Sequence, residues 1–318
     1  MKKYIFNSRV INKLGKFKKY LQEKKYAENT ILQKLNYAGI FLQFIENENL
    51  TTNEIRYADM LAFIDGQTSE NKSKQLINSI LLSVRNYFEY LKIQNPKLIN
   101  PAKDLKIKGI RKKIPRNILE FSFLEKIYND FKTKNYRSKR NKIIFGLFVY
   151  QAITTEELQK LRTGYLKLKK GKIIIPGSKK TAGRTLNLEA SQILELHEYI
   201  EKIRPLIIKE INKKRPSRKP NEIDSEQLEE QLFISINGSA KLKSSIYHLF
   251  REIKKKYPEI QNAKQIRRSI IIYKLKTSNL REVQYFAGHK YVSSTEKYLI
   301  NNIENLKKET EKYHPLND

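Results

Sequence analysis

The chain has 318 residues, no cysteine, and 64 lysines and arginines against 33 acidic residues, for a net charge of +31. The missing cysteine excludes a disulfide framework, a thiolate metal site and a cysteine nucleophile; the sequence also lacks an apolar run of about eighteen residues and the apolar stretch of a signal peptide, so the cytoplasm is the expected compartment. A hydrophobic share of 39%, with 19 Tyr and 14 Phe, suffices for the cores of about two domains, and so basic a folded chain predicts a nucleic-acid partner rather than a membrane, since its charges are dispersed along the sequence.

Residues 1–104 read as a helical domain of four to five short helices. Asn29-Thr30 opens a helix in which Ile31, Leu32, Leu35, Ala38, Phe41, Leu42 and Ile45 recur at helical spacing. Thr51-Thr52-Asn53 caps a short helix and Ala58–Ile64 forms another. Lys74–Leu91 repeats the apolar stripe through Ile77, Leu81, Val84 and Phe88. Asn95-Pro96 and Asn100-Pro101 close the block, because the residue before a proline is pushed out of the helical region. Residues 105–117 are basic and rich in breakers, and are expected to link two domains while Arg111, Lys112 and Lys113 follow a phosphate backbone.

The second domain is expected over 118–318. Phe121–Phe131, Arg140–Tyr150 and Glu156–Arg162 read as helices. The β-branched runs around Gly171 and Gly177–Gly183 predict a small antiparallel sheet with a basic turn, Ser178-Lys179-Lys180-Thr181-Ala182. Ala190–Ile203 continues as helix, and residues 212–231, with Pro216 and Pro220, read as a mobile loop. Lys243–Lys256, Lys264–Lys276, Asn279–Phe286 and Ser293–Lys312 end the chain as helices. The fold class expected is mainly α with a small antiparallel β-sheet.

Familiar catalytic signatures are missing from the sequence. There is no phosphate-binding G-x-x-x-x-G-K-[ST] loop and no G-x-G-x-x-G, and His197-Glu198 lacks the second histidine of a zincin. Scattered Asp and Glu leave a carboxylate–metal nuclease open as an alternative. The C-terminal stretch is more informative. Lys264-Gln-Ile-Arg267 places two cations three residues apart on one helix, so that both leave the same face. Ala287-Gly288-His289 ends the next helix at the glycine and leaves the histidine in a loop. Tyr298 follows nine residues after His289, behind Ser293-Ser294-Thr295, any of which could cap its helix.

This order resembles the tyrosine recombinases, the lambda-integrase-like family, whose C-terminal signature is His/Lys-x-x-Arg, then Leu-Gly-His/Trp, then a tyrosine. The resemblance covers most of the chain. It makes 1–104 a helical, SAM-like core-binding domain and 118–318 a mixed α+β catalytic domain, and the run from Leu280 to Tyr298 is most similar to integrases of Bacteroides-type mobile elements. It implies that Tyr298 attacks DNA to form a 3′-phosphotyrosyl intermediate. Arg267, Lys264 and His289 would hold the phosphate, and a lysine on the sheet turn, Lys179 with Lys180 close behind, would act as general acid. No metal or cofactor is implied, because the phosphotyrosyl bond conserves the energy of the broken phosphodiester. The implied partner is double-stranded DNA, bound by a homotetramer on paired sites, with room for DNA-bending accessory proteins. Lys72, Lys74, Arg85, Lys180, Arg184 and Arg268 join the linker cations as DNA-contact candidates.

One position departs from the family pattern. Where the family shows Thr-Gly-Leu-Arg-x-Ser-Glu-Leu, this chain has Gln151-Ala-Ile-Thr154-Thr155-Glu156-Glu157-Leu158, with threonine in place of a phosphate-clamping arginine. Either Arg162, Arg184 or Arg268 compensates, or the protein binds DNA as a regulator without cleaving it. The enzymatic reading is site-specific recombination, for integration or excision of a mobile element.

Overall fold

The structure, a computed structural model, describes residues 6–110, 117–178, 180–213 and 225–299. The chain divides into two compact units, Met1–Lys113 and Ile114–Asp318. Among the described residues no helix is long and apolar enough to cross a membrane.

The first unit contains α1 (Ser8–Glu23), α2 (Glu28–Asn47), α3 (Tyr57–Ser69) and α4 (Lys74–Gln94). Helix α1 buries Val10, Leu14, Phe17 and Leu21, a stripe at helical spacing, and Asn7 caps it by accepting from the Val10 N–H. Phe17 meets Tyr87 edge to face at 5.2 Å, and Phe41 meets Phe63 likewise at 5.1 Å, so aromatic contacts knit the bundle. The separate short helix expected after Thr51 is instead a turn closed by Thr51 Oγ1 donating to Glu54 at 2.7 Å, and α3 is one continuous helix. The expected linker also begins later than its charge suggests. Leu105 is buried in the first unit's core and Ile107 packs against it, because their apolar surface outweighs the lysines between them.

The second unit is built around α6 (Tyr136–Tyr150), which buries every residue from Ile143 to Val149 and therefore runs through the core. Helix α5 (Phe121–Asn129) packs beside it, and the short α7 (Thr155–Lys160) follows. Strands β1 (Leu166–Lys167), β2 (Lys172–Ile175) and β3 (Arg184–Asn187) form an antiparallel sheet in chain order. On β3 Arg184 and Leu186 are buried while Thr185 and Asn187 are exposed, the period-2 alternation of a half-covered sheet. Helix α8 (Ala190–Glu198) passes through a wider π turn, Tyr199–Ile203, into α9 (Arg204–Lys213).

The segment read as a mobile loop contains a helix, α10 (Ser225–Glu230), whose carbonyls at Leu228 and Glu229 accept from the Arg204 guanidinium; 214–224 lie outside the described residues. Helices α11 (Lys243–Lys256), α12 (Ala263–Thr277) and α13 (Leu280–Ala287) follow. The last described helix, α14, spans only Ser293–Glu296, and the backbone then closes turns from Tyr298 N–H to Thr295 and from Leu299 N–H to Glu296. Tyr298 thus stands on a turn rather than inside the long helix expected from Ser293.

Candidate active site

The site grows from the turn after α6. Ala152 adopts φ 47°, a left-handed conformation that strains a side chain with a Cβ, and it lies where the family pattern has glycine. That turn aims the Ala152 carbonyl at Arg267. Thr154 then opens α7 with a reciprocal cap: its hydroxyl accepts from the Glu157 N–H at 3.1 Å, and its own N–H donates to Glu157 Oε2 at 2.7 Å. The residue that replaces the expected arginine therefore has a local task, the start of a helix.

Glu157 carries the site's internal charge balance. Arg184 Nη1 donates to Glu157 Oε1 at 2.6 Å, and neither side chain has exposed surface. Burial works to raise the Glu157 carboxyl, but the Arg184 guanidinium and the Thr154 N–H outweigh it and hold the group below its ordinary range. Arg184 Nε donates to the Phe286 carbonyl at 2.7 Å, tying β3 to the end of α13. This corrects the expectation that Arg184 faces DNA: the strand alternation turns it inward.

Gly288 permits the docking. It sits at φ 65°, and a Cβ there would lie 2.5 Å from Arg184 Nη1 and 2.9 Å from the Ala182 carbonyl. The Ala182 N–H donates to the Gly288 carbonyl at 2.8 Å, and Thr181 pairs with His289 as an isolated antiparallel bridge. Thr181 and Ala182, at the β3 end of the turn between β2 and β3, are thereby held beside the histidine.

Arg267 is buried on α12 and donates to the backbone carbonyls of Ala152 and, at 2.5 Å, Ala287. Burial lowers its pKa from the usual value, opposed by Glu157. Because Arg184 already pairs with Glu157, Arg267 has no carboxylate of its own among the described residues. Its printed hydrogen bonds go to neutral carbonyls, and Glu157, already paired with Arg184, acts on it only through its charge.

His289 and Tyr298 complete the cluster. Their rings stack with centroids 6.0 Å apart and planes 5° from parallel. His289 Nδ1 lies 2.8 Å from Thr295 Oγ1. Burial first, then the charges of Arg267 and Arg184, pull the His289 pKa down to about 4, so the ring is neutral at pH 7. Tyr298 packs against the small cluster of Ile271, Val283 and Ala287 and lies within electrostatic reach of Arg267.

The other candidates fall in several places. Lys264 is exposed in the first turn of α12, while Arg267 on the same helix is buried; the pair divides between surface and interior. Lys180 is exposed on the sheet turn; Lys179 lies outside the described residues, as do Arg111, Lys112 and Lys113. Arg268 is half-buried one position along α12. Arg162 is exposed and pairs at the surface with Glu230 of α10 at 2.8 Å. Lys74 is exposed at the start of α4. Two first-unit candidates are corrected. The Lys72 side chain is only 10% exposed and reaches Glu70 at 2.9 Å, and Arg85 spends Nε and Nη2 on the carbonyls of Ala102 and Leu105. Both hold their own unit together.

Sequence reasoning missed Glu157 and Thr295 as site residues. Thr154-x-x-Glu157 does carry the spacing of a capping box, and Arg184 shares the phase of Leu186 and Leu188, which marks it as inward-facing. Also missed was a cleft at the starts of α6 and α11, with Arg137, Arg140, Ser245, His248 and Ile236 among its lining residues. Among the described residues no group of three acidic or histidine side chains is placed to hold a metal.

Residues 117–305 match the model of the phage integrase family. The chain is 21% identical over 296 residues to tyrosine recombinase XerC of Staphylococcus aureus (strain MRSA252), covering 92% of this chain and 93% of XerC. Among solved structures it is similar to XerH recombinase bound to its palindromic difH substrate, with a TM-score of 0.69, 18% identity, and coverage of 88% of this chain and 79% of that one. The Tn1549 transposon integrase in complex with transposon right end DNA gives a TM-score of 0.63 at 17% identity, covering 90% and 94%. At these identities the structural likeness bears on the fold.

Proposed function

The chain belongs to the phage integrase family, the tyrosine recombinases that cleave and rejoin DNA, and on that premise we propose that Tyr298 is its nucleophile. The observation that carries this reading is the buried Arg267, hydrogen-bonded to backbone carbonyls rather than to a carboxylate, in electrostatic reach of Tyr298 and of the stacked His289 ring. In the reaction, Tyr298 Oη bonds to the scissile phosphorus as the P–O5′ bond breaks. The phenolic proton leaves, and the departing 5′ oxygen gains a proton. Rejoining runs the same exchange in reverse with a new 5′ hydroxyl.

Arg267 holds the non-bridging oxygens with N–H groups its carbonyl partners leave unused, where negative charge grows in the transition state. Neutral His289 supplies a further hydrogen bond. By the family resemblance, Lys264 completes the clamp and a turn lysine, Lys179 or Lys180, provides the proton for the leaving oxygen. Arg184 supports the site from within, through Glu157, rather than touching the phosphate.

The partner is duplex DNA. The net charge of +31, and the DNA complexes of the similar XerH and Tn1549 integrase, support it. Lys74 and the cleft at the starts of α6 and α11 offer donors for backbone phosphates. Work on paired sites as a homotetramer follows from the chemistry, since two duplexes must each be cut on both strands. The likeness of the Leu280–Tyr298 run to Bacteroides-type integrases supports integration or excision of a mobile element as the biological role.

The test uses a nicked duplex from the DNA flanking the gene, in EDTA. The intact protein forms a covalent protein–DNA adduct on a denaturing gel, and Tyr298→Phe does not. Salt-sensitive binding with no adduct would establish the DNA-binding regulator instead, and cleavage that needs a divalent metal and survives Tyr298→Phe would establish a metal nuclease.

A further inference from the structure

Thr295 is fully buried, and its side chain makes one hydrogen bond among the described residues, to His289 Nδ1 at 2.8 Å. A hydroxyl has one proton to donate, and sealed from water that proton needs an acceptor. If Nδ1 carried the imidazole proton, Thr295 Oγ1 would have to accept it, and the hydroxyl's own hydrogen would face the interior without a partner. With Nδ1 bare, the hydroxyl donates to it and both groups are satisfied. The imidazole proton then resides on Nε2.

The rest of the surroundings hold the ring in place without competing for that proton. The His289 N–H donates to the Gln284 carbonyl at 3.0 Å, and Gln284 Nε2 donates to the His289 carbonyl at 3.0 Å, so the backbone is clamped on both sides. The Tyr298 ring lies parallel to the imidazole, with centroids 6.0 Å apart. Nε2 has no hydrogen-bond partner among the described residues, and the ring is only partly buried. We infer that Thr295 is a positioning residue: its hydroxyl donates to His289 Nδ1, fixes the Nε2–H tautomer, and so presents a hydrogen-bond donor to the phosphate that Tyr298 attacks. The charges of three cations act on the imidazole, Arg267 from α12, Arg184 from β3 and Lys297 from the turn after α14. Glu157 from α7 opposes them. With burial, this balance keeps the ring uncharged, so its one proton must be placed correctly.

The inference rests on the roles of Tyr298 and His289 proposed above, and its test separates the two. Nitrogen-15 NMR of the full chain at pH 7 reads the tautomer without DNA; the chain has four histidines, and His289→Gln identifies the signal. The expected spectrum is that of Nε2–H. Thr295→Val keeps the shape and removes the hydroxyl; it mixes the tautomers and slows single-turnover cleavage by about 10–100-fold at unchanged DNA affinity. Thr295→Ser restores both to near the parent. An Nδ1–H or doubly protonated parent ring overturns the inference, as does Thr295→Val with the parent's tautomer and rate. Should Thr295→Val fail to fold, the parent spectrum and the Thr295→Ser rate decide: a serine variant that loses the tautomer or cleaves slowly also overturns it. An Nε2–H ring in a protein that forms no adduct would sink the recombinase reading and leave the tautomer assignment standing.

Discussion

Arg184 and Glu157 form an ion pair with no exposed surface, and a pair of that kind is worth most when neither partner is removed. Arg184→Met leaves a buried carboxylate unpaired and is expected to cost about 3–5 kcal/mol in urea unfolding. Arg184→Met with Glu157→Gln costs less than the sum of the two single changes, because no lone charge remains. Equal additivity would show that the pair is not coupled. His289 makes a pH prediction. Its folded pKa, about 4, lies below the 6.5 of an unperturbed histidine, so between these values the unfolded chain binds a proton that the folded chain does not. Stability therefore falls as pH drops from 6.5 towards 4, and this contribution levels off below 4. His289→Gln should show a smaller difference in urea midpoint between pH 7 and pH 4.5 than the parent, and an unchanged difference would contradict the lowered pKa (~1.36 kcal/mol per pH unit is the limiting slope for one proton).

At the scale of elements, the turn between α6 and α7 combines a strained Ala152 with the Thr154 cap, and the strain aims a carbonyl at Arg267. Ala152→Gly removes the left-handed Cβ clash at some cost in unfolded-state freedom, and is expected to stabilise the chain by about 0.5–1 kcal/mol; a loss of stability in thermal or urea unfolding would contradict it. Elements with strong local signals were legible in the sequence. Lys243–Lys256 has the boundaries its pattern predicts, and α4 and α12 differ from expectation only at their ends. The order Lys264, Arg267, His289, Tyr298 was legible too. What was not legible depends on distant partners. Glu157 and Arg184 are 27 residues apart and meet only in the folded chain, where Arg184 also ties β3 to the end of α13. Helix α14 is short, and the Thr295 hydroxyl that could have capped it turns to His289 instead. Lys72 and Arg85 looked like surface cations, yet each finds buried carbonyl or amide partners in its own unit.

For the whole molecule, a net charge of +31 makes DNA affinity a function of salt before it is a function of sequence. With about 6–10 phosphate contacts, binding to any duplex should weaken by about 10³–10⁵ between 50 and 200 mM salt, measured by fluorescence anisotropy; a flat salt response would contradict a phosphate-dominated interface. Recombination asks more than attraction: one tyrosine among nineteen must join the phosphate. The most direct measurement is to digest the protein–DNA adduct and map the nucleotide-bearing residue by mass spectrometry. The modified peptide is expected to carry its phosphodiester on Tyr298, beside Arg267 and His289. A phosphodiester on any other residue would contradict the assignment of this cluster as the active site.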